Sequence, residues 1–506
     1  MHVHWSISPL ADWQAEAILF FTFEDSRPLL PGFVQWLDSQ PWWQAELTPL
    51  RDFKGKHQET SIYYGPRDHC IARVICVGLG PAEKFDREKL RNAAAVAVRK
   101  CRELRISHPA LPLPALQGLP LDGATALREA LIGAETGLYR YGALKTRNDE
   151  PDAFPETLCL LAGQEPGDDL QEALNDAQRT ARGICLARDL VVAPANIVTP
   201  RFLADKAREL AHQFAFQMQL IDLDAARRMG MGLFTAVAQG SREPAYMIVL
   251  EHRPRGTEED RPLVLIGKGI TFDAGGISIK PSSKMELMKH DMAGAAAILG
   301  AFQIIGEMKL ARRIVGILPC TENMPDGKAY KPGDVLRSMS GVTVEVISTD
   351  AEGRLILGDA LAYALDLKPC AMVDIATLTG ACIVALGDRV GAVMGNEDAL
   401  VAKIQEIGMQ VGDRLWPLPQ WDFYFDDLKS DVADFKNVGE RKGGAIVAGI
   451  FLKQFVPDHV PWAHLDIAGP AWTEKDLVSA PKGATGFGVR LLVDLARRWH
   501  PTKQCG

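Results

Sequence analysis

The sequence predicts an α/β protein with a smaller N-terminal α/β domain, a linker helix and a larger C-terminal domain whose central sheet is mostly parallel and flanked by helices. Three observations support this fold class. The chain has 506 residues, too many for one ordinary hydrophobic core. Apolar strand-like runs alternate with helical stretches, which is typical of a parallel sheet. One long amphipathic pattern separates the two parts and has the length of a connecting helix.

The first 165 residues are predicted to form a single α/β domain. Residues 72–80 are an apolar run that enters a glycine turn, and residues 87–104 have helical spacing. The segment 109–123, which is rich in Pro, Leu and Gly, is predicted to be a loop. Gly78 and Gly80 suggest a dinucleotide-binding turn, but the third glycine of that motif is missing. The turn therefore gives only weak support to a cofactor site.

A linker helix is predicted for residues 166–192. Asp168 and Asp169 can cap its start, and Pro194 prevents it from continuing. Apolar residues recur on one face at helical spacing, namely Leu170, Leu174, Ala177, Ala181 and Ile184. The domains are accordingly predicted as residues 1–165, 166–192 and 193–506.

Strands and helices alternate through the C-terminal part. The predicted strands are 247–250, 263–266, 314–318, 342–347, 371–375 and 392–394. The predicted helices are 203–214, 285–307 and 355–367. Several strand runs are apolar throughout, as in strands that are buried on both faces. Because such sheets bind ligands beyond the carboxyl ends of their strands, we expect functional residues at that edge.

The composition, with 47% hydrophobic and 24% charged residues, is that of a globular protein in water. The net charge of −8 disfavours nucleic acid as a partner. The longest apolar stretch, 292–306, is too short to span a bilayer, and the N-terminus lacks a signal-peptide pattern. The nine cysteines are scattered without a Cys-x-x-Cys pair, which favours reduced thiols. These observations predict a cytoplasmic protein without a membrane partner.

Four acidic residues lie either just after predicted strands or in the helix that follows one of them. Asp273 follows one strand, Asp291 lies in the following helix, and Asp350 and Glu352 follow another strand. Four carboxylates at one sheet edge would repel one another unless cations neutralise them. Divalent ions take carboxylate ligands, and a bridging carboxylate can hold two ions roughly 3.5–4 Å apart. A helix cap or surface charge is the alternative for any single residue, but the set predicts a divalent-metal site.

Basic residues lie in the same segments. Lys268 and Lys280 flank the loop after the first carboxylate. Each could ligate a metal as a neutral amine, stabilise an oxyanion as a charged group, or lie on the surface in solvent. Arg354 begins a helix, where it could bind a small oxyanion or pair with a nearby carboxylate. His290 could support the adjacent aspartate or simply pack in the interior.

These segments resemble those of the leucyl aminopeptidase (cytosol aminopeptidase) family of two-metal exopeptidases. The resemblance covers residues 180–495, and the first 165 residues match the family's macro-like N-terminal domain only loosely. The matching motifs, in the family's order, are 264–273 with Gly275 and Gly276, then 288–292 and 349–355. Weaker matches are 376–381, 443–445 and 464–469.

The resemblance implies which residues hold two divalent ions, zinc or manganese, in each subunit. One ion is held by Lys268, Asp273, Asp291 and Glu352, and the other by Asp273, Glu352 and both the side chain and main-chain carbonyl of Asp350. Lys280 and Arg354 correspond to the family's two catalytic residues.

The resemblance also implies a mechanism. A peptide with a free N-terminus binds across the two ions, and a water acidified by both attacks the scissile carbonyl. Lys280 and one ion stabilise the oxyanion, while Arg354 holds a bicarbonate that transfers the proton. The first side chain of the peptide enters a small, apolar pocket that favours Leu, but with modest discrimination of about 1–3 kcal/mol. The pocket residues are Met288, Thr377, Leu378, Gly380, Ala468 and Ala471.

Family members form hexamers, so a homohexamer is expected. Ser348 stands where the family usually has Asn, and because it precedes the ligands, the change affects a supporting hydrogen bond and not metal binding. Two alternatives stay open. The first is a DNA-binding role, which the net charge disfavours. The second is a catalytically inactive structural paralogue, which should have lost Lys280, Arg354 or a ligand.

Overall fold

The computed structural model describes residues 1–7, 14–24, 53–65, 71–147 and 155–500. The chain divides into two compact units: Met1–Ala181 with Asp476–Pro481, and Arg182–Lys475 with Lys482–Gly506. The boundary between Ala181 and Arg182 falls inside the long helix Asp168–Val192. The α/β fold class with a linker helix is confirmed, while the domain limits at residues 165 and 192 stay predictions.

A six-stranded sheet forms the centre of the first unit. Its strands are β1 (His2–Ile7), β2 (Ala17–Thr22), β3 (Thr60–Tyr64), β4 (Arg73–Gly78), β5 (Pro109–Pro112) and β6 (Thr157–Ala162). Their order is β1-β6-β5-β2-β4-β3, with only the β3–β4 pair antiparallel. The helices are α1 (Arg87–Glu103), α2 (Pro114–Gln117) and α3 (Gly123–Gly137), with a 3₁₀ helix at Ala82–Lys84.

The predicted loop at 109–123 is wrong for β5 and for the start of the helices that follow. Ala110 and Leu111 are buried, and β5 pairs with β2 on one side and β6 on the other. Its prolines lie at the two ends of a four-residue strand, where a missing N–H costs few ladder bonds. Burial between two neighbouring strands therefore outweighs the local turn composition.

The second unit contains most of the chain. Its strands are β7 (Gln217–Asp222), β8 (Tyr246–His252), β9 (Leu263–Gly267), β10 (Gly269–Asp273), β11 (Ile314–Asn323), β12 (Val335–Arg337), β13 (Thr343–Glu345), β14 (Ala371–Ala376), β15 (Gly391–Gly395), β16 (Leu415–Pro417), β17 (Phe435–Lys436), β18 (Trp462–Asp466), β19 (Trp472–Thr473) and β20 (Gly483–Ala484). Its helices are α4 (Asp168–Val192), shared with the first unit, α5 (Pro200–Phe214), α6 (Leu223–Arg228), α7 (Gly232–Ala238), α8 (Ala293–Met308), α9 (Glu352–Leu365), α10 (Gly380–Leu386), α11 (Asp398–Val411), α12 (Gly444–Lys453) and α13 (Val489–Arg498). Two 3₁₀ helices are Met285–His290 and Asp422–Leu428.

The large sheet of this unit has the order β16-β15-β18-β14-β9-β11-β8-β7, and β10 pairs with β11 beside it. The central strands β18, β14, β9 and β11 run parallel, whereas β15, β8 and β7 pair in antiparallel fashion. The carboxyl ends of the central strands consequently meet at one edge, as the sequence predicts. The candidate site residues lie at that edge.

Two predicted elements of the second unit differ from the structure. The predicted strand 342–347 does not join the large sheet, because only Thr343–Glu345 is strand and it pairs with β12 and β17 in a separate small sheet. The predicted helix 285–307 is also too long, since residues Met285–His290 form a 3₁₀ helix and α8 begins at Ala293. Apolar periodicity alone could not distinguish these arrangements.

Helix α9 carries charged side chains into the interior. Every residue from Glu352 to Ala364 is buried, and the apolar ones pack in the main hydrophobic core. Buried charges need partners, so Glu352, Arg354 and Asp359 must each find one nearby. Among the helices of the described ranges, none combines the length and apolar character that a membrane span requires.

Candidate active site

The candidate ligands come from three places along the chain. Lys268 lies between β9 and β10, and Asp273 is the last residue of β10. Asp291 follows the short 3₁₀ helix, and Asp350 and Glu352 lie at the start of α9. The structure brings all five together at the carboxyl edge of the large sheet.

Three carboxylates form the centre of the cluster. One oxygen each from Asp273, Asp350 and Glu352 lies within 4.8 Å of the others. Asp291 adds a fourth carboxylate. Its Oδ2 forms an ion pair with Lys268, with 2.8 Å between Oδ2 and Nζ. Within the described residues, the angles at this oxygen do not meet the geometry of a hydrogen bond. Four carboxylates against two ammonium groups, with oxygen donors aimed at one space, fit divalent metal ions. The residues present therefore suit a metal centre.

Lys268 is enclosed by the cluster, with only 3% of its side chain exposed. Its Nζ lies 2.9 Å from Glu352 Oε1 and donates to the carbonyl oxygen of Thr377 at 3.2 Å. Its aliphatic chain passes over Gly353, where a Cβ would lie 2.6 Å from Lys268 Nζ. A side chain at that helix position would displace the lysine.

Lys280 reaches the cluster from a loop. Its Nζ lies 2.7 Å from Asp273 Oδ2 and 2.5 Å from Asp350 Oδ1. The loop turns sharply at Gly275 and Gly276, whose φ angles are 87° and 66°. A Cβ at Gly275 would lie 2.5 Å from the carbonyl oxygen of residue 278, so the turn requires glycine. The two glycines thereby allow the lysine to fold back over the carboxylates.

Two residues that the sequence analysis did not select, Asn323 and Tyr330, support the carboxylates through hydrogen bonds. Asn323 Nδ2 donates to Asp273 Oδ1 at 2.8 Å and to the carbonyl of Thr349 at 2.9 Å. The hydroxyl of Tyr330 donates to the same carbonyl at 2.8 Å. Both side chains are buried, and they hold the peptide unit that precedes Asp350. Asn323 lies at the end of β11, so its place at the strand edge was the only available indication.

Arg354 is buried under helix α12. Its Nη1 donates to the main-chain oxygen of Asn437 at 2.8 Å, and its guanidinium carbon lies 6.0 Å from the ring centre of Phe451. Its Nε has no hydrogen-bond partner among the described residues. Burial lowers the pKa of Arg354 to about 10, although the nearby Glu352 opposes the shift. Of the two options that the sequence left open, an ion pair with Glu352 or Asp359 does not form in the described structure, where Arg354 contacts a main-chain oxygen instead.

Two of the predicted substrate-pocket residues, Met288 and Thr377, contact Asp291. Thr377 Oγ1 donates to Asp291 Oδ1 at 2.8 Å, and Met288 lies in the 3₁₀ helix that leads to that aspartate. The amides of Leu378 and Ala468 both donate to Asp466 Oδ1, at 3.2 and 3.1 Å. Of the other two predicted residues, Gly380 begins α10, where a Cβ would meet open space, and Ala471 precedes β19.

Asp466 was not predicted as a site residue. Its buried carboxylate ends β18 and binds the hydroxyl of Thr379 at 2.7 Å as well as the amides of the two neighbouring loops. Because β14 and β18 run parallel with Ala376 opposite Asp466, these loops leave the sheet side by side. Asp466 thus ties together the two loops that carry Leu378 and Ala468.

Burial and charge set the proton affinities of the cluster. Burial raises the pKa of Asp273 to about 6, and the neighbouring Glu352 adds to the rise. Burial also raises the pKa of Asp291 well above its usual range. Burial by itself would also raise the pKa of Glu352, but the positive charges of Lys268 and Lys280 outweigh burial, so this pKa is lowered. Burial by itself would lower the pKa values of the two lysines, yet their carboxylate neighbours raise both, so the ammonium forms are favoured.

His290 packs against an aromatic ring. Its imidazole stacks on Trp472 with ring centres 5.5 Å apart, and the residue is half-buried. Burial lowers the pKa of His290 to about 4, so the ring is neutral at physiological pH. Of the two interpretations that the sequence left open, the structure favours a packed histidine.

A carboxylate cluster with two lysines and an arginine, at the carboxyl edge of a mostly parallel sheet, is typical of a metal-dependent hydrolase. Family profiles narrow this class. The profile of the cytosol aminopeptidase family, catalytic domain, matches residues 185–493, and that of the family's N-terminal domain matches residues 34–148.

Curated relatives agree along the whole chain. The sequence is 57% identical to a probable cytosol aminopeptidase of Syntrophobacter fumaroxidans, over 99% of both chains. It is 48% identical to a probable cytosol aminopeptidase of Nitratidesulfovibrio vulgaris, over 99% of this chain and 100% of the relative.

Solved structures agree as well. A mutant of tomato leucine aminopeptidase is similar, with 31% identity and a TM-score of 0.87, over 99% of this chain and 97% of that one. The bottromycin maturation enzyme BotP in complex with Mn is also similar, with 34% identity and a TM-score of 0.83, over 96% and 99% of the two chains. The chain therefore belongs to the cytosol aminopeptidase family. It is an aminopeptidase, a hydrolase that acts on peptides.

Proposed function

We propose that this aminopeptidase depends on two divalent metal ions, zinc or manganese, and preferentially releases Leu and other hydrophobic residues from the free N-termini of peptides. The observation that carries the proposal is the approach of the Asp273, Asp350 and Glu352 oxygens to within 4.8 Å of one another. Lys268 and Asp291 extend the same donor set. The similar structure of BotP in complex with Mn supports a divalent ion.

The ligand assignment is the one that the family resemblance implies, and the closeness of the donors supports it. One ion would be held by Lys268, Asp273, Asp291 and Glu352, and the other by Asp273, Asp350 and Glu352, with the main-chain oxygen of Asp350 as a further ligand. When bound, such ions supply Lewis-acid chemistry that polarises the peptide carbonyl and lowers the pKa of water. A bound cation would also counteract the rise in the lysine pKa values, which allows Lys268 to act as a neutral ligand.

The surroundings of Lys280 and Arg354 support the catalytic roles that we propose for them. Lys280 extends from a loop over the carboxylates, and 21% of its side chain is exposed, so it can approach the substrate carbonyl. Its ammonium group would stabilise negative charge that develops on the carbonyl oxygen. Arg354 keeps a free Nε within the described structure and would hold bicarbonate, which carries the proton between water and the leaving amine.

The pocket beside the cluster would accept the first side chain of the peptide. Met288, Thr377, Leu378, Gly380, Ala468 and Ala471 offer small or apolar surfaces, which favour Leu over charged residues. An apolar pocket separates neighbouring aliphatic side chains by only about 1–3 kcal/mol, so Met and Ile should also be accepted. The requirement for a free amine would make the enzyme an exopeptidase.

We further propose a cytoplasmic homohexamer that acts on peptides and not on nucleic acid. The reduced-thiol composition and the net charge of −8 support the location and the lack of a nucleic-acid partner. Residues 1–165, 166–192 and 193–506 remain the proposed N-terminal domain, linker and catalytic domain.

The test compares two substrates on the purified full-length protein. After chelation and reloading with Mn²⁺ or Zn²⁺, the protein should hydrolyse leucine p-nitroanilide, and metal analysis should find about two ions per subunit. N-acetyl-leucine p-nitroanilide should not react, because its nitrogen is blocked. Efficient hydrolysis of the blocked substrate, or full activity after exhaustive chelation, would contradict the proposal. An inactive, metal-loaded protein would instead favour the structural paralogue.

A further inference from the structure

Asn437 lies at the end of strand β17 and is fully buried. Its side-chain oxygen accepts hydrogen bonds from the amides of Ile347, at 2.8 Å, and Ser348, at 3.3 Å. Its side-chain Nδ2 donates to the carbonyl of Ser348 at 2.7 Å. One amide side chain thus satisfies three main-chain groups of the turn that leads to Asp350.

The main chain of Asn437 makes two further connections. Its N–H donates to the carbonyl of Glu345 at 2.8 Å, which continues the pairing of β13 with β17. Its carbonyl accepts from Nη1 of Arg354 at 2.8 Å. The same residue therefore contacts the strand before the turn, the turn itself and the arginine that follows the ligands.

The turn has little other support on this side. Ser348 Oγ accepts from the amide of Asp350 at 3.3 Å, which is long for a hydrogen bond. On the opposite side, Thr349 exchanges two hydrogen bonds with Ser278, at 2.8 and 3.1 Å. Asn323 and Tyr330 hold the carbonyl of Thr349 from the core side. Within that frame, the side chain of Asn437 is what fixes the Ile347–Ser348 part of the turn before Asp350.

We propose that Asn437 is a positioning residue for the reaction, which holds the ligand-bearing turn and Arg354 in fixed relation to each other. The inference rests on the proposed function, since it assumes that Asp350 and Glu352 bind metal. Residues that orient ligands are worth about 10–100-fold in metal affinity or activity. A purely structural asparagine would contribute to stability alone.

The experiment uses the full-length protein with Asn437→Ala and Asn437→Asp. Asn437→Ala removes all three side-chain bonds to the turn, whereas Asn437→Asp keeps the acceptor and loses only the donor. Calorimetric titration of chelated protein with Mn²⁺ should give affinities about 10-fold or more below wild type for Ala, with a smaller loss for Asp. At saturating Mn²⁺, kcat for leucine p-nitroanilide should fall in the same order, because a backbone no longer tied to the turn also holds the Asn437 carbonyl less firmly against Arg354, while KM changes less.

Asn396→Ala is the matched control. Asn396 also bridges two main-chain groups, donating to the carbonyl of Val460 at 2.9 Å and accepting from the amide of Trp462 at 2.8 Å. It lies outside the cluster, after β15. Its loss should lower the melting temperature without changing Mn²⁺ affinity or kcat.

Each outcome decides the matter. If Asn437→Ala or Asn437→Asp folds and keeps Mn²⁺ affinity and kcat within twofold of wild type, the inference is overturned. It is also overturned if Asn396→Ala lowers both quantities equally, or if neither Asn437 variant folds, since Asn437 is then a structural residue. If only Asn437→Asp folds, an Mn²⁺ affinity within twofold of wild type overturns the inference. A wild-type protein that neither binds Mn²⁺ nor cleaves the substrate would contradict the proposed function instead.

Discussion

The two lysines of the cluster differ in their surroundings. Lys268 is almost fully enclosed, with 3% of its side chain exposed, and points between Asp291 and Glu352. Lys280 is 21% exposed and enters from a glycine-rich loop between Asp273 and Asp350. An enclosed amine suits a ligand, whereas a partly exposed one can meet a substrate. The environment therefore supports a different proposed role for each.

Lys280→Ala should lower kcat for leucine p-nitroanilide about 100-fold or more, while the protein stays folded and binds Mn²⁺. The loss is expected because no other ammonium group of the described structure lies between Asp273 and Asp350 to stabilise the oxyanion. Steady-state kinetics and metal analysis of the same sample measure both effects. Lys284→Ala is the control, since Lys284 lies in the same loop but is 64% exposed and pairs with Glu474. Near-normal turnover of Lys280→Ala would remove it from the mechanism.

At the scale of elements, helix α9 connects the site to the core. Its first turn carries Glu352 and Arg354 into the cluster, and Gly353 lets Lys268 pass close to the helix. One turn further on, Asp359 accepts from the amides of Phe234, at 2.9 Å, and Met339, at 2.8 Å. Its carboxylate thereby caps the start of helix α7 from inside the core.

Gly353→Ala should lower Mn²⁺ affinity at least 10-fold with little loss of stability. The helical backbone accepts alanine, but the new Cβ would lie 2.6 Å from Lys268 Nζ and push the amine away from Asp291 and Glu352. Calorimetric titration with Mn²⁺ measures the change. Gly123→Ala, at the start of α3, is the control because its Cβ meets only an ordinary contact at 3.9 Å. Unchanged affinity in Gly353→Ala would mean that Lys268 is not a ligand.

Asp359 gives the protein a pH-dependent stability. Burial raises the pKa of Asp359 to about 7, although its backbone donors oppose the shift. In the unfolded chain the pKa is about 3.9, so the folded state binds more protons between roughly pH 4 and pH 7. The contribution of this group to stability therefore falls as the pH rises through that window and is constant above it.

Asp359→Asn removes this titration and replaces one acceptor by a donor, at a fixed cost of about 1–2 kcal/mol. Denaturation measured at several pH values should find that the variant, relative to wild type, becomes progressively more stable from pH 4 to pH 7. A difference that is independent of pH would show that Asp359 keeps an ordinary pKa in the fold.

At the scale of the whole molecule, the second unit exposes large apolar side chains. Val384 is 90% exposed, and Trp421 and Phe423 are each 60% exposed. Phe423 and Tyr424 have ring centres 4.4 Å apart, so part of this surface is a continuous aromatic cluster. Exposed apolar clusters of this kind mark protein interfaces.

We therefore expect light scattering of the purified protein to give a mass near six times the 55.3 kDa of one chain. Burial of the apolar groups between subunits would provide the driving force for the proposed assembly. A monomeric mass at micromolar concentration would contradict the proposed hexamer.

Much of the fold follows from the sequence because buried parallel strands are continuous apolar runs. The strands around residues 263–266 and 371–375 are confirmed for that reason. The strand predicted at 342–347 is confirmed only for Thr343–Glu345, and its place in the large sheet is wrong. It pairs instead with β12 and with Phe435–Lys436, which lies far along the chain and leaves no local pattern. The loop predicted around β5 fails for a similar reason, because its pairing with β2 and β6 is not local.

The sequence by itself determined the chemistry available to the protein, since residue type decides which atoms can bind metal, stabilise an oxyanion or hold an anion. Clustered motifs such as the one from Asp350 to Arg354 made that chemistry visible. Only the tertiary structure decided which supports surround it. Asn323, Asn437 and Asp466 act through hydrogen bonds to segments distant in the chain, 90 residues apart for Asn437 and Ile347. Such contacts depend on folding and not on periodicity, so a single asparagine or aspartate in the sequence could not reveal them.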